Sequence, residues 1–316
     1  MIELAGLTKR YGEKVAVDRL TFTVRPGVVT GFLGPNGAGK STTMRMMLGL
    51  DRPTAGEVRI DGRPYDRLKD PLTSIGALLE AKAWHGGRSA FHHLLCLAQS
   101  NGIPRGRVHE VLETVGLAAV ARKKTKTFSL GMGRRLGIAA ALLGDPRVLL
   151  FDEPVNGLDP EGIHWIRTLM KSLAAQGRTV FVSSHLMNEM AVTADHLIVI
   201  GRGRLLADTS MAEFIRRNAR SYVRIRTPER ERLLDVLHEA GVTVVETLGG
   251  DVEVADGKAE RIGELAAQHR IVLHELSPRQ ASLEEAFMRL TAQTVEYHAQ
   301  DETPAPRWGA DRRKGN

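Results

Sequence analysis

The sequence has one cysteine and no long hydrophobic run, and these shortages exclude an internal disulfide and a membrane-spanning helix. Cys96 is the single cysteine among 316 residues, so no disulfide can form within the chain. Its apolar neighbours recur at helical spacing, and we expect this thiol to be buried on a helix rather than reactive. The chain lacks both a secretory signal and a stretch of about 20 uninterrupted apolar residues, the length that a membrane-spanning helix needs. We therefore expect a soluble, cytoplasmic protein.

Charge of one sign is not collected into long blocks. The 44 lysines and arginines exceed the 37 aspartates and glutamates, which gives a net charge of +7. Because opposite charges are interspersed along most of the chain, we interpret this excess as ordinary surface solubility and expect no nucleic-acid partner. The C-terminal end does group four cations, at positions 307, 312, 313 and 314, and contact of this tail with anionic lipid stays open as an alternative.

The hydrophobic pattern of the first two thirds of the chain predicts an α/β fold. Between residues 28 and 201, short β-branched runs alternate with longer amphipathic segments, which indicates a parallel sheet covered by helices. The run from Arg147 to Phe151 is apolar at successive positions, as expected of a central strand that is buried on both faces. Strand patterns disappear between residues 86 and 144, where we expect a mostly helical insert.

A second, smaller domain is predicted after the first, which we place at residues 1–212. Over 213–292 the order is strand, helix, strand, strand, helix, strand, helix, which is typical of a ferredoxin-like α+β domain. We expect Gly249–Gly250 to form the hairpin turn and residues 270–276 to form the last strand. Residues 293–316 are polar and contain proline, and we expect a disordered tail there.

The strongest chemical signal is the motif GPNGAGKST, which follows a predicted strand and opens a predicted helix. Its glycines let the backbone approach a phosphate closely, and the helix N-terminus adds a positive dipole. Lys40 supplies a point charge for β- and γ-phosphates, and the Ser41 hydroxyl is suited to Mg²⁺. We expect the whole motif to bind ATP: Gly34, Pro35, Asn36, Gly37, Ala38, Gly39, Lys40, Ser41 and Thr42.

Two carboxylates stand at the end of the predicted central strand. Asp152 suits a ligand of Mg²⁺, either directly or through water, and Glu153 suits the residue that polarises the attacking water in hydrolysis. A simple cap of the strand end is the alternative reading of this pair. The phosphate-binding motif in the same chain favours the catalytic reading.

In their order along residues 1 to about 210, these motifs resemble those of the ABC ATPase family. The block Phe128–Pro146 comes just before the central strand, where that family places its signature motif, here Ser129, Leu130, Gly131 and Met132. The resemblance implies that Ser129 and Gly131 face the γ-phosphate of ATP bound by a second copy, in a head-to-tail homodimer. A serine and free amides at the start of a helix agree with an anion site.

Further matches belong to the same resemblance. Tyr11 is similar to the aromatic residue that stacks on adenine, and Gly157, Leu158 and Asp159 are similar to the family's D-loop, which runs between subunits. His185 resembles the family's switch histidine, and a hydrogen bond to the γ-phosphate would let it distinguish ATP from ADP.

Two departures from the family pattern are informative. The signature reads Ser-Leu-Gly-Met where the wider family favours Ser-Gly-Gly-Gln, and Glu80 stands at the Q-loop position, where the family has glutamine. Glu80 accepts but cannot donate hydrogen bonds, and it is a further candidate ligand of Mg²⁺. Both departures are typical of ATP-binding subunits of bacterial drug and antibiotic exporters that resemble the bacitracin and daunorubicin resistance transporters. An additional C-terminal α/β domain is typical of that branch too.

The resemblance implies an ATPase subunit that drives export of a drug-like or antibiotic-like compound through a separate membrane permease. It would sit peripherally on the inner face of the cell membrane, with residues 80–93 as the expected contact with the permease. Two other functions stay open at this point: an import ATPase, and a soluble ABC ATPase that acts on ribosomes or DNA. The chain shows a single cassette and no sustained heptads, which disfavours the last of these.

Overall fold

A computed structural model describes residues 1–80, 84–218, 221–246, 251–255, 257–280 and 283–291 of the chain. The strands are β1 (Ile2–Tyr11), β2 (Lys14–Val24), β3 (Val29–Leu33), β4 (Ala55–Ile60), β5 (Ile75–Leu78), β6 (Val148–Asp152), β7 (Thr179–Ser184), β8 (His196–Gly201), β9 (Arg204–Ser210), β10 (Ser221–Arg226), β11 (Val244–Glu246), β12 (Val252–Ala255) and β13 (Glu275–Gln280). The helices are α1 (Lys40–Met47), α2 (Pro71–Ser74), α3 (Ala90–Ser100), α4 (Arg105–Thr114), α5 (Leu130–Leu142), α6 (Pro160–Ala175), α7 (Met187–Thr193), α8 (Met211–Asn218), α9 (Arg230–Glu239), α10 (Ala259–Gln268) and α11 (Leu283–Thr291).

The centre of the molecule is a six-stranded sheet with the order β5-β6-β7-β3-β8-β9. All neighbouring strands in it are parallel except β8 and β9, which confirms the predicted sheet. Every residue of β3, β6 and β7 is buried, because layers packed on both faces leave no side of these strands in water. The carboxyl ends of these three strands therefore meet at one edge of the sheet.

A second sheet, with the antiparallel order β2-β1-β4, covers one face of the first. The layers share a core in which the rings of Phe22, Phe32 and Phe181 lie 5.0–6.1 Å apart between centroids. Such tilted aromatic contacts add to the stabilisation from area burial. This packing holds β2 against the strands that carry the functional loops.

Helices α3, α4 and α5 occupy the segment between residues 86 and 144, all of which the structure describes. Cys96 lies on α3, but the prediction that it is buried was wrong, because its side chain is exposed. Leu94 and Ala98 form the buried face of α3, and Cys96 lies two residues from each of them. A separation of two residues turns a helix by about 200°, so the sulfur points away from the core.

The C-terminal sheet has the order β11-β12-β10-β13 and is antiparallel throughout. Helices α9 and α10 share its separate hydrophobic core, and the β-α-β-β-α-β order with this pairing is the ferredoxin-like fold that the sequence predicts. Gly249–Gly250 and the predicted tail 293–316 lie outside the described residues.

The last strand of this sheet was predicted at 270–276, and that position was wrong. The strand is β13, Glu275–Gln280, which contains Pro278 and several polar residues. It lies at the sheet edge, where a proline is tolerated because one side of the strand makes no ladder bonds. The apolar run before it is a connecting stretch, and Ile271 packs into the domain core from there.

Helix α11 follows the C-terminal sheet in the chain but packs against α7 and α8. Ala286 and Phe287 are buried in the same core as Met190 of α7 and Phe214 of α8. The predicted boundaries of the two domains stay a prediction, but the final described helix completes the core of the first domain. None of the helices in the described ranges combines the length and apolar character that a bilayer span requires.

Replacing Phe287 with alanine is expected to lower the free energy of unfolding by about 3 kcal/mol, because the ring leaves a cavity in a shared core. Urea unfolding of the purified chain measures this change. Met288 on the same helix is 58% exposed whereas Phe287 is 7% exposed. Met288→Ala should therefore shift the free energy by less than about 0.5 kcal/mol, and equal losses for both variants would contradict the packing described here.

Candidate functional site

The glycine-rich loop connects β3 to α1 and lies directly against neighbouring backbone. Gly39, at the N-cap of α1, has φ 104°, and a Cβ there would lie 2.6 Å from the carbonyl oxygen of Ala16. A Cβ on Gly34 would lie 2.6 Å from the carbonyl oxygen of Ile200. Only glycine fits at both positions. Residues 35–42, Tyr11 and Glu153 line a cavity of about 400 Å³, so all predicted residues of the phosphate-binding motif except Gly34 share one space.

Lys40, the first residue of α1, is a buried cation at the end of this loop. Its side chain is 7% exposed, and Nζ donates to the carbonyl oxygens of Gly34, at 2.6 Å, and Pro35, at 3.3 Å. Burial lowers the pKa of Lys40, while the nearby negative charges of Glu153 and Asp152 oppose this effect. Nζ lies 3.9 Å from Oε1 of Glu153. A bound polyphosphate would add the anionic partner that a buried ammonium group favours.

Asp152 joins three structural elements at the sheet edge. Ser41 Oγ, in the first turn of α1, donates to Oδ2 at 2.7 Å, and Ser183 Oγ, at the end of β7, donates to Oδ1. The same Ser183 hydroxyl accepts a hydrogen bond from the Glu153 amide at 2.9 Å. The predicted Mg²⁺ pair, Ser41 and Asp152, is therefore adjacent and presents hard oxygen atoms, which this cation prefers.

Sequence reasoning missed Ser183. Its neighbour in the next strand is Asp152, because the parallel pairing of β6 and β7 places the two residues in register. The available signal was the pair Ser183–Ser184 just before His185, at the end of a buried strand. Polar residues at the carboxyl end of such a strand are candidates for a site at the sheet edge.

The backbone turns sharply at Glu153, directly after the end of β6. Its φ of 48° is positive, which is uncommon for a residue with a side chain and is found at functional sites. The carboxylate Oε2 lies 2.9 Å from Nδ1 of His185, and the Glu153 side chain is 21% exposed. The structure thus brings together the predicted general base and the predicted switch histidine beside Lys40.

Tyr11 stands at the mouth of the cavity with half of its side chain exposed. Its hydroxyl donates to Oδ2 of Asp51 at 3.1 Å, and Arg45 donates to the same carboxylate oxygen at 2.9 Å. Burial raises the pKa of Tyr11, and the hydrogen bond and negative charge of Asp51 add to the effect. Lys9 Nζ lies 5.0 Å from the ring centroid. Asp51 and Arg45 orient this ring, and sequence reasoning had not singled them out.

Glu80 is not among the described residues that line the phosphate cavity. It is exposed and lies along a neighbouring cavity with Trp84 and His93, beside residues 81–83, which fall outside the described ranges. Its assignment as a ligand of Mg²⁺ stays a prediction.

The signature residues do not line their own chain's phosphate cavity either. Ser129 is the N-cap of α5, and its Oγ accepts from the Met132 amide at 3.2 Å. Leu130 is 46% exposed and covers Gly157, whose φ is 74°. Asp159 caps α6 by accepting from the Gly162 amide at 2.9 Å. The signature turn is therefore not part of the cavity that holds Lys40.

Comparison with known proteins assigns the family. A family model described as ABC transporter matches residues 17–156, and a domain of unknown function, DUF8746, matches 221–284. An uncharacterised ABC transporter ATP-binding protein of Bacillus subtilis, YhcH, is 36% identical over 94% of this chain and 97% of its own length. The chain belongs to the ABC transporter ATP-binding proteins. This ABC subunit therefore binds and hydrolyses ATP.

Other relatives and solved structures agree with this assignment. The bacitracin transport ATP-binding protein BcrA of Bacillus licheniformis is 37% identical to the ABC subunit over 92% of this chain and 97% of its own length. Among solved structures, the dimeric bacterial cassette MJ0796 is 28% identical with a TM-score of 0.61, covering 67% of this chain and 99% of that one. A post-hydrolysis dimer of the same cassette, bound to ADP and Pi, superposes with a TM-score of 0.61 at 27% identity over 67% of this chain and 99% of that one.

Ser183→Ala is expected to lower kcat for ATP hydrolysis by about 10-fold or more, because it removes a hydrogen bond to a charged carboxylate in the site. KM for ATP should change less, since the phosphate loop keeps its own contacts. Steady-state kinetics of the purified ABC subunit gives both constants. Ser172→Ala, on the exposed side of α6, is the matched control. An unchanged kcat in the Ser183 variant would show that this hydrogen bond does not contribute to hydrolysis.

Proposed function

We propose that this ABC subunit drives export of an antibiotic-like or drug-like compound through a separate membrane permease. The observation that carries the proposal is the full-length similarity to two bacitracin transport ATP-binding proteins, which includes the C-terminal domain. The second of these, from Enterococcus faecalis, is 34% identical over 92% of this chain and 96% of its own length. A lantibiotic transport ATP-binding protein of Streptococcus pyogenes is 35% identical over 208 residues.

The positions of the residues at the sheet edge support a separate role for each of them in hydrolysis. Lys40 Nζ would exchange its loop carbonyl partners for β- and γ-phosphate oxygens, and His185 would donate to the γ-phosphate. Glu153 would accept the proton of the water whose oxygen attacks the γ-phosphorus, as the bond to the bridging oxygen breaks and ADP leaves. Ser41 and Asp152 fit Mg²⁺, which when bound would neutralise phosphate charge.

The placement of the signature turn supports a head-to-tail homodimer. Ser129 and Gly131 lie outside the chain's own cavity, so their amides and hydroxyl are available to the γ-phosphate of ATP on a second copy. Two ATP molecules would then close the dimer, and hydrolysis would reopen it, because the closed state binds ATP more tightly. The dimeric structures of the similar cassette MJ0796 support this arrangement.

The contact with the permease is proposed for residues 80–93, beside the cavity that contains Glu80 and Trp84. Through this contact the subunit would sit on the inner face of the membrane. Closure of the dimer would switch the permease between inward-facing and outward-facing states, and ATP hydrolysis would reset it.

Glu153→Gln is expected to bind ATP, to hydrolyse it at least about 100-fold more slowly, and to accumulate as a dimer, because the proton acceptor is lost while the phosphate contacts remain. Hydrolysis assays and sedimentation velocity with ATP measure these properties. Glu161→Gln, an exposed change of the same kind in the first turn of α6, should behave like the parent chain. A Glu153 variant with the parental rate would rule out this general base.

The transporter assignment is tested by capturing tagged Glu153→Gln chain with ATP from detergent-solubilised native membranes. We expect mass spectrometry to identify a membrane protein with several spans, absent from a control capture with the untagged chain. An accompanying substrate-binding protein would indicate import instead. Ribosomal or DNA-bound partners would overturn the transporter proposal and leave the ATPase activity unaffected.

A further inference from the structure

Helix α5 carries a buried arginine that the proposed reaction does not use. Arg134 is 5% exposed, and Nη2 donates one hydrogen bond, at 3.2 Å, to the carbonyl oxygen of Asn156. Its Nε is buried without a hydrogen-bond partner in the part of the chain that the structure describes. No carboxylate among the described residues forms an ion pair with it. Asn156 belongs to the loop between β6 and α6, which begins with Glu153 and ends with Asp159.

This burial is unfavourable for the stability of the helix alone. A guanidinium group has five N–H donors, and removing it from water with few partners carries a desolvation penalty. Burial lowers the pKa of Arg134, and the negative charges of Asp152 and Glu153 oppose that effect. The side chain therefore lies within the electrostatic field of the two carboxylates at the sheet edge, although it pairs with neither.

Two other contacts join the N-terminal end of α5 to the loop 153–159. A Cβ on Gly157 would collide with Cδ2 of Leu130, so the leucine side chain covers this glycine. A Cβ on Gly131 would lie 3.5 Å from Cδ2 of Leu158, which is ordinary van der Waals contact. The signature turn, Ser129–Met132, thus rests directly on the loop to which Arg134 is hydrogen-bonded.

A neighbouring face of α5 is also in close contact. The ring of Trp84 fills the space that a Cβ on Gly133 would occupy, so only glycine allows the indole to lie there. Helix α5 therefore contacts Trp84 on one face and the loop 153–159 on a neighbouring face. A displacement of the loop relative to α5 would break the bond from Arg134 and leave its guanidinium group buried without a partner.

We propose that Arg134 is a positioning residue that makes the signature turn and the loop 153–159 of one chain move as a single unit. The consequence rests on the proposed head-to-tail dimer. In that dimer, the signature turn serves the ATP of the second copy, whereas Glu153 serves the ATP of its own chain. Arg134 then links the geometry of the two sites, so that both must be correctly formed before the dimer closes.

The test uses the full-length Glu153→Gln chain, which holds ATP without hydrolysis, and measures dimer formation against ATP concentration by sedimentation velocity. Adding Arg134→Met should raise the ATP concentration for half-dimerisation by about 10-fold or more, a typical size for coupling between sites. Adding Arg134→Lys, which keeps a donor and the charge, should restore the value to within about 3-fold of the parent. Affinity for ATP at protein concentrations too low for dimerisation should be the same in all variants.

The matched control is Arg107→Met. Arg107 also donates to backbone carbonyls of α5 and its C-cap, those of Leu142 and Leu143, but at the far end of the helix. We expect this variant to lose stability in urea and to keep the parental ATP concentration for half-dimerisation. If Arg134→Met does not fold, Arg134→Leu, which also lacks a donor, replaces it with the same expected loss.

The possible results separate the inference from the proposed function. A Glu153→Gln chain that stays monomeric at saturating ATP would overturn the dimer and, with it, the role of Arg134. A dimer that forms at the parental ATP concentration in Arg134→Met would overturn the role of Arg134 alone. In a third possible result, Arg134→Lys and Arg107→Met each raise the ATP concentration for half-dimerisation as much as Arg134→Met does. That result would also overturn the role of Arg134, because loss of packing would then account for the effect.

Discussion

The hydrogen bonds to Asp152 are the contacts on which the catalytic edge depends. One carboxylate, 8% exposed, accepts from Ser41 at the start of α1 and from Ser183 at the end of β7. A buried carboxylate needs such donors, because its desolvation is otherwise unfavourable. These bonds fix the phosphate-loop helix, the central strand and its neighbour relative to one another. Ser183 also fixes the backbone of Glu153, because its hydroxyl accepts a hydrogen bond from the Glu153 amide.

The position of Glu153 follows from this constraint. Its positive φ turns the side chain out of the line of β6 and places it beside His185 and Lys40. A left-handed conformation at a residue with a side chain costs on the order of 1–3 kcal/mol and persists where the surroundings enforce it. Glu153 directly follows β6, His185 directly follows β7, and Lys40 is the first residue of α1. Parallel pairing is what makes the ends of these elements coincide.

Several features could be predicted from the sequence because each depends on local chemistry. The phosphate loop needs glycines with special backbone conformations, followed by Lys40 and Ser41, and that requirement is visible residue by residue. The buried strands are visible as unbroken apolar runs, and the ferredoxin-like order is visible as alternating periods. The burial of Cys96 and the position of the last strand were predicted wrongly. Cys96 was placed in the core because its neighbours are apolar, and the last strand was placed on the apolar run 270–276. Which face of a helix is buried, and which segment pairs at a sheet edge, depend on how the elements pack.

By itself, the sequence determined the α/β class, the phosphate-binding loop and the carboxylates at the strand end, because short-range spacing and residue chemistry suffice for these. Only the tertiary structure decided which distant residues complete the site. Ser183 reaches Asp152 through strand register, Asp51 reaches Tyr11 across the mouth of the cavity, and α11 returns to the core beside α7. Arg134 reaches the loop after β6 in the same way. Such contacts depend on how separate elements pack, and no local pattern in the chain records that packing.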